Sequence, residues 1–295
     1  MRTKTISYKL LILPVAFVVI SSCQKMTRPV LGDYPQDHAV TPATPLRFYV
    51  SFDSTSPDDK QINIRFKDSI SGYPSFFPDK SITIAPGIHG TAVQLSPGNA
   101  IKYVNANDFA KAAQSFSMSI WLKSPGVPHV NPQFVMSLVD KDFWHDSGIF
   151  LLFDHDQCCG GGSQVSTVDS ANVTFAVKDN WYTFHGTDRI PKLFNQQWHH
   201  LVFVYDATTS KLTTYLDGVA LNLSAAATTT GLTGPVNFNP ANVSNLVLGG
   251  WNKHAAIEGP ADSWIENFPG VIDQFRLYTK ALSASEVQAL YNSKL

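Results

Sequence analysis

The chain has 295 residues, of which 44% are hydrophobic, 12% aromatic and 15% charged, and its formal net charge is -1. A protein that binds nucleic acid would need a basic surface, so this charge balance argues against a nucleic-acid partner. Glutamate occurs only at Glu258, Glu266 and Glu286, whereas Thr, Ser, Asn and Phe are common. This usage suits strands and turns better than helices.

The N-terminus carries a targeting pattern: a basic start, an apolar run at residues 10–20, and then Ser21-Ser22-Cys23. The run is too short for a permanent membrane-spanning helix. Small residues before a cysteine resemble the signal peptide of a bacterial lipoprotein of the Bacteroidetes type. The resemblance implies that residues 1–22 are removed and that a lipidated Cys23 anchors the protein in the outer membrane. The alternative is an ordinary cleaved signal that leaves Cys23 free, and the occupied face of the membrane stays open.

A tether and one domain are expected after the signal. Residues 27–45 are rich in Pro, Asp, Thr and Ala and have no apolar period, which predicts a flexible tether over residues 23–45. The remainder, residues 46–295, is about 250 residues long, a normal size for one large β-sandwich.

The elements of this domain are short strands separated by polar turns. Alternating apolar residues predict strands at 46–52, 92–95, 101–104, 116–123, 134–139, 149–153, 173–177, 181–185, 197–206, 211–216, 219–223, 245–248 and 271–278. A C-terminal helix is predicted to begin at Ser283, because Glu286 three residues later completes a capping box. Strands at this spacing predict an all-β fold, a two-sheet antiparallel jelly-roll sandwich with a short C-terminal helix.

The strand at 197–206 is apolar on both faces, which is typical of a strand in the middle of a sheet. Asp217-Gly218, after the next strand, can supply the positive φ that a tight hairpin needs. In this region Trp198 and two histidines lead an apolar strand, and the following strand ends in Tyr215-Leu216-Asp217-Gly218.

Two further segments complete a pattern: a last strand at 268–278 with a helix at 281–291, and an early core strand at 115–123. Together, over roughly residues 45–295, these features resemble the laminin-G-like, concanavalin A-like lectin and glucanase jelly-roll family. The resemblance implies the fold. It leaves function open, because one fold hosts many unrelated sites.

Catalysis of the family's glucanase type is not favoured. Those enzymes carry a Glu-x-Asp-x-x-Glu motif, whose two carboxyls act as acid and nucleophile about 5 Å apart. The motif is absent here, and the nearest arrangement is Asp154 and Asp156, which would share one face if the strand extended that far. A divergent glycoside hydrolase that uses this pair is therefore the alternative to a non-catalytic role.

Aromatic and polar residues outside the core pattern suggest a sugar-binding groove. Aromatic faces stack on sugars while Asp, Asn and His read hydroxyls, and loops at one end of a sandwich often carry recognition. We assign Trp121 and Trp198 to the core. Each of the other tryptophans could equally be buried in the core or be exposed to a ligand. The candidate ligand-binding residues are Trp144, His145, Asp154, His155, Asp156, Trp181, Tyr182 and Trp251.

Many relatives hold structural calcium at the rim of the sandwich, and the resemblance implies that Asp53, Asp68 and Asp273 could supply such a site here. Calcium prefers six to eight oxygen ligands. Asp53 and Asp273 are expected to be close, because the first and last strands of this fold usually pair.

Cys158 and Cys159 are adjacent and are followed by three glycines. Outside the cytoplasm they could form a strained vicinal disulfide, which we expect near a functional site, or stay as two thiols in a loose loop.

From all these features we expect an outer-membrane lipoprotein that binds glycan or glycoprotein or mediates adhesion. A structural partner of an outer-membrane protein complex is a further alternative.

Overall fold

The computed structural model describes residues 42–53, 66–76, 82–156 and 164–294. The predicted lipidation site Cys23, most of the tether, and the Cys158–Cys159 pair lie outside these ranges. Within them, no helix combines the length and the apolar character needed to cross a membrane.

The described residues form short strands and three short α-helices. The strands are β1 (Leu46–Val50), β2 (Thr83–Pro86), β3 (Thr91–Gln94), β4 (Ile101–Tyr103), β5 (Phe116–Lys123), β6 (Gln133–Asp140), β7 (Ser147–Asp154), β8 (Ser170–Val177), β9 (Asn180–Phe184), β10 (Ile190–Pro191), β11 (Trp198–Asp206), β12 (Lys211–Leu216), β13 (Val219–Ala220), β14 (Val243–Leu248), β15 (Glu266–Asn267) and β16 (Val271–Tyr278). The helices are α1 (Phe109–Ala112), α2 (Ala225–Thr228) and α3 (Ala284–Ser293).

Two eight-stranded sheets pack face to face. The first sheet has the order β13-β12-β11-β5-β16-β3-β2, with β1 also paired to β16. The second has the order β10-β8-β7-β6-β14-β4, with β9 paired to β8 and β15 to β6. Pairing is antiparallel except for the short β15–β6 contact. The predicted antiparallel sandwich is confirmed, as are the pairing of first and last strands and the interior position of β11.

The core lies between the sheets and follows the period-two alternation of the strands. On β11, Leu201, Phe203 and Tyr205 point inward and are fully buried. Phe203 stacks on Phe175 of the second sheet with ring centroids 4.2 Å apart and planes 2° apart. An aromatic pair of this kind contributes about 0.5–1.5 kcal/mol beyond its buried area.

The outer face of the first sheet is partly covered by α3. Val287 of this helix is buried against Val202, Val204 and Tyr215. The predicted capping box is confirmed, because the Ser283 hydroxyl accepts a hydrogen bond from the Glu286 amide at 3.3 Å and the Glu286 carboxylate accepts one from the Ser283 amide at 2.9 Å. These two bonds satisfy amides that the first helical turn leaves without partners.

The two tryptophans assigned to the core behave differently. Trp121 is 2% exposed and stacks on both His200 and Tyr291, so its assignment is confirmed. Trp198 is only half-buried, since β11 begins at this residue and the sheet does not cover it there. Its assignment to the core is wrong.

Candidate functional site

The outer face of the second sheet presents a continuous set of side chains from β7, β8 and β9. Ile149, Leu151 and Phe153 of β7 enter the core between the sheets, whereas Phe150 and Leu152 belong to a separate apolar cluster on the other side. Because side chains alternate along a strand, Asp154 shares the outer side with Phe150 and Leu152.

Strand register sorts this face into rows. Phe150 lies opposite Ala176, Leu152 opposite Thr174, and Asp154 opposite Asn172. Trp181 of β9 continues the first of these rows beside Ala176. At about 3.3 Å per residue, the row with Phe150 and the row with Asp154 are about 13 Å apart.

Two tryptophans form an aromatic corner at the first row. Trp144 and Trp181 are half-buried and meet edge to face, with ring centroids 4.9 Å apart. Both rings also contact Phe150, at centroid distances of 5.2 and 5.0 Å. Trp264, 39% exposed, lies 6.4 Å from Trp144 at the solvent edge. We call Trp144 and Trp181 the aromatic corner.

Trp251 supports this corner from below and is not a surface residue. It is fully buried, stacks on Phe134 at 5.5 Å with planes 10° apart, and donates its indole hydrogen to the His145 carbonyl at 2.8 Å. Phe134 in turn stacks on Trp144. The prediction that Trp251 contacts ligand is therefore wrong, because the loop after β14 folds it under the other rings.

The loop that carries Trp144 is held in an unusual conformation. His145 and Asp146 both have left-handed backbone angles, with φ of 50° and 52°. Such angles are uncommon for non-glycine residues and persist only where surrounding contacts fix them. Here the Trp144 amide donates to the Asp179 carboxylate at 2.8 Å, and the His145 ring lies 3.2 Å from Asp262. Burial lowers the pKa of His145, and the charge of Asp262 opposes that shift.

The other end of the face is polar and buried. One Asp154 carboxylate oxygen, Oδ2, accepts a hydrogen bond from the Thr174 hydroxyl at 3.1 Å and lies 3.7 Å from the His185 ring nitrogen Nε2. Within the described ranges the other oxygen, Oδ1, has no hydrogen-bond partner, although Asp154 is 1% exposed. Burial raises the pKa of the Asp154 carboxyl, and the His185 ring opposes the shift.

Asn172 adds a second buried acceptor beside Asp154. Its amide nitrogen donates to the carbonyl of Gln164 at 2.8 Å, and its Oδ1 has no hydrogen-bond partner among the described residues. Buried polar atoms nearly always have hydrogen-bond partners, and a buried water can supply the donor for such acceptors. We call Asp154, Asn172 and His185 the polar row.

Three predicted ligand residues lie elsewhere. Tyr182 is fully buried in the core between the sheets, because its register partner Phe175 points inward, so its prediction as a binding residue is wrong. The His155 ring bonds the Pro128 carbonyl at 2.7 Å. Asp156 is exposed and lies beyond the end of β7, so Asp154 and Asp156 do not share a strand face as the hydrolase alternative requires.

The predicted metal residues divide into a pair and an outlier. The Asp273 and Asp53 carboxylates bind the same turn. Asp273 accepts a hydrogen bond from the Ile88 amide at 2.8 Å, and Asp53 accepts one from the Thr91 amide at 3.0 Å. Burial raises the pKa of Asp273 to about 8, and the charge of Asp53 adds to that rise. Asp68 has another role, since it is 1% exposed and both its oxygens accept several hydrogen bonds.

The Asp53–Asp273 pair provides oxygen ligands of the kind that calcium prefers, with backbone carbonyls in the turn beside it. The turn can approach so closely because residues 87 and 90 are glycines: a Cβ on Gly87 would lie 2.5 Å from Asp273 Oδ2. Among the described ranges, no group of three or more His, Cys, Asp or Glu side chains is arranged to hold a metal ion. Carbonyl oxygens would therefore have to complete the coordination of any calcium bound here.

Sequence reasoning missed Asn172, Thr174 and His185. The signal was present in the alternation of residues 172–177, where polar Asn172 and Thr174 interleave with apolar Val173 and Phe175. Extending the outward face of β7 to its neighbours would have identified Asn172 and Thr174. His185 follows the end of β9, and only the pairing of β8 with β9 brings it to Asp154.

Comparisons with known proteins agree with this architecture. The chain is 21% identical over 267 residues to the N,N-dimethylformamidase beta subunit of Paracoccus aminophilus. The matched region covers 85% of this chain and 32% of that protein. The chain thus spans about a third of that curated relative.

Two solved structures illustrate the shared fold. Domain 4 of AbnA, an extracellular arabinanase from Geobacillus stearothermophilus, matches with a TM-score of 0.52 and 21% identity over 83% of this chain and 98% of the other. The binding domain of botulinum neurotoxin DC matches with a TM-score of 0.54 and 14% identity over 85% and 52%. The family model Laminin_G_3 matches residues 98–288, so the chain belongs to the concanavalin A-like lectin/glucanases superfamily.

Proposed function

We propose that the protein binds carbohydrate on the outer face of the second sheet. The observation that carries the proposal is the aromatic corner, where the half-buried rings of Trp144 and Trp181 meet and the exposed Trp264 lies beside them. Sugars match this feature, because their apolar C–H faces stack on aromatic rings.

Recognition would come from the aromatic end of the face. Trp144 and Trp181 would stack on the C–H face of one sugar unit, and Trp264 would extend that contact toward solvent. Asp154 and Asn172, at the other end of the face, are as buried as Trp251 and are not proposed as ligand contacts.

Two related structures lend support. The arabinanase domain was solved with arabinotriose, and the entry of botulinum neurotoxin type C depends on two ganglioside molecules. Both are glycan contacts on a related fold. They support a glycan as the ligand class here and do not specify which glycan.

A glycan-array screen in calcium-containing buffer, followed by titration of the hits, tests the proposal. We expect related oligosaccharides to bind, and Trp144→Ala or Trp181→Ala to weaken them about tenfold or more, since loss of one aromatic stack costs about 1–3 kcal/mol. Val219→Ala is the control, because Val219 is 64% exposed and lies on β13 of the first sheet. A blank array from folded protein would contradict the proposal and favour a protein partner.

A divergent hydrolase with Asp154 alone as general acid, without the Asp154–Asp156 pair, is the second candidate, because burial raises the pKa of Asp154 and a general acid needs such a shift. Release of reducing sugar that disappears in Asp154→Asn would favour it. Retained binding without any sugar release would leave the non-catalytic function.

We propose that Asp53 and Asp273 hold a structural calcium ion together with backbone carbonyls of the turn at residues 87–90. The bound ion would neutralise two carboxylates that otherwise repel each other, and so stabilise the turn. Calcium should raise the melting temperature of the protein but not that of Asp273→Asn. Equal melting with calcium and with a chelator would contradict this.

We further propose that Cys23 carries a lipid anchor in the outer membrane and that Cys158 and Cys159 form a disulfide. The sequence of residues 2–23 and the adjacency of the two cysteines support these assignments. Incorporation of labelled fatty acid that is lost in Cys23→Ser tests the first. Mass spectrometry of the unreduced peptide tests the second, since a disulfide resists alkylation.

A further inference from the structure

A second row of side chains crosses the outer face of the first sheet at one end. Trp198 of β11 lies opposite Lys123 of β5, which lies opposite Val271 of β16, which lies opposite Gln94 of β3. Residues opposite each other on neighbouring strands share a face. Four strands far apart in sequence therefore align Trp198, Lys123, Val271 and Gln94 on one surface, on the opposite side of the sandwich from the aromatic corner.

This row forms the floor of a cleft of about 310 Å³. The turn at Gly87 borders one side, and Ser124 and Gln196 border another. A volume near 300 Å³ is at the lower end of what small-ligand sites offer, enough for one compact unit of a larger ligand.

Gln94 is fixed in the cleft in one orientation. Its amide nitrogen donates to the carbonyls of Leu95 at 2.8 Å, Pro269 at 3.0 Å and Gly270 at 3.2 Å. The amide nitrogen is thereby fully engaged, and the carbonyl end of the side chain serves as an oriented acceptor. Gly270 permits this packing, because a Cβ there would lie 2.6 Å from the Lys123 carbonyl.

Charge in the cleft is of one sign. Among the described residues that line the cleft, Lys123 is the only charged one. Its side chain is exposed, and within the described ranges its ammonium group makes no ion pair. Trp198 beside it is half-buried, so part of the indole is available to a ligand.

We propose that this cleft binds a sugar unit that carries a carboxylate or sulfate group. The Trp198 ring stacks on the sugar, the Lys123 ammonium pairs with the anionic group, and the Gln94 carbonyl accepts a hydroxyl proton. The proposed site on the second sheet is built from tryptophan rings, whereas this cleft adds an ammonium group, so the two faces select different chemistries. This site is independent of the proposed carbohydrate site on the second sheet.

Titration of the full-length protein with three hexasaccharides of equal length tests the site: a uronic acid oligomer, a sulfated oligomer and an uncharged one. We expect one or both anionic oligomers to bind, with affinity that falls as salt rises, and the uncharged oligomer to bind at least about tenfold more weakly. The stronger of the two anionic ligands identifies whether carboxylate or sulfate is preferred.

Variants locate the binding. Lys123→Gln and Trp198→Ala should each weaken the anionic oligomer about tenfold, roughly the value of one charge-assisted hydrogen bond. Lys211→Gln is the matched control, because Lys211 is an exposed lysine of the same sheet opposite Asp206, at the far end of β11. Trp144→Ala should leave anionic binding unchanged, which separates this site from that on the second sheet.

Three results would overturn the proposal: no binding of either anionic oligomer, equal binding of the uncharged oligomer by the Trp144→Ala variant, or equal losses in Lys123→Gln and Lys211→Gln. Unchanged near-ultraviolet circular dichroism is required of every variant. A Trp198→Ala variant that fails this requirement is replaced by Trp198→Phe, which keeps an aromatic face and should retain most of the affinity.

Discussion

Replacing Trp251 tests whether the aromatic corner rests on a rigid base. The side chain is fully buried, and a tryptophan buries about 150–250 Å², which corresponds to roughly 4–6 kcal/mol at about 25 cal/mol per Å². Partial collapse of Trp144 into the space would recover some of this. We therefore expect Trp251→Ala to lower the free energy of unfolding by about 3–5 kcal/mol.

Trp251→Phe separates stacking from hydrogen bonding. It keeps a ring against Phe134 but removes the indole donor, leaving the His145 carbonyl without its bond at 2.8 Å. The expected loss is about 1–3 kcal/mol, the cost of an unsatisfied buried acceptor. Trp264→Ala, at the exposed edge, should change stability by about 0.5 kcal/mol or less.

Urea unfolding followed by far-ultraviolet circular dichroism measures all three variants, and the slope of the transition should stay constant while its midpoint moves. A Trp251→Ala protein that loses glycan binding but keeps wild-type stability would refute this reasoning. That result would mean that Trp251 is a ligand contact, as the sequence alone suggested.

Three further predictions concern stability. Ser283→Ala should lower the free energy of unfolding by about 1 kcal/mol in urea titrations, because it removes the cap of α3. Burial, aided by the charge of Arg276, lowers the pKa of His200 from 6.5 to about 3, so stability should fall as pH falls through that window, and His200→Gln should flatten the dependence. In chelator-containing buffer the raised pKa of Asp273, from 3.8 to about 8, should make stability fall as pH rises through that window, and Asp273→Asn should abolish the trend in urea midpoints.

Much of the fold could be predicted from local pattern. The strand at 116–123 and the last strand at 271–278 were predicted with the bounds that the structure has, because their alternation is strong. Asp217 and Gly218 both have positive φ, as the hairpin requires. Strands β2, β10 and β15 were missed, since each is at most four residues long and depends on a neighbouring strand for its shape.

The candidate sites were harder to predict, for a physical reason. A tryptophan in a loop has the same sequence signature whether it faces solvent, as Trp264 does, or lies under other rings, as Trp251 does. Only tertiary packing decides between them. Lys123 and Trp198 likewise become neighbours only through strand register, which aligns residues from distant parts of the chain.

The pairing of β1 has a mechanical consequence. Among the described strands, β1 pairs only with β16, with Leu46 opposite Tyr278 and Val50 opposite Phe275. Any pull on the chain before Pro42 therefore loads this short strand first. Force from a polymer bound to the second sheet would be transmitted to β1 through the core between the sheets, in which Phe48 and Val50 are packed. Resistance to tension should thus depend on these two side chains more than on the binding face.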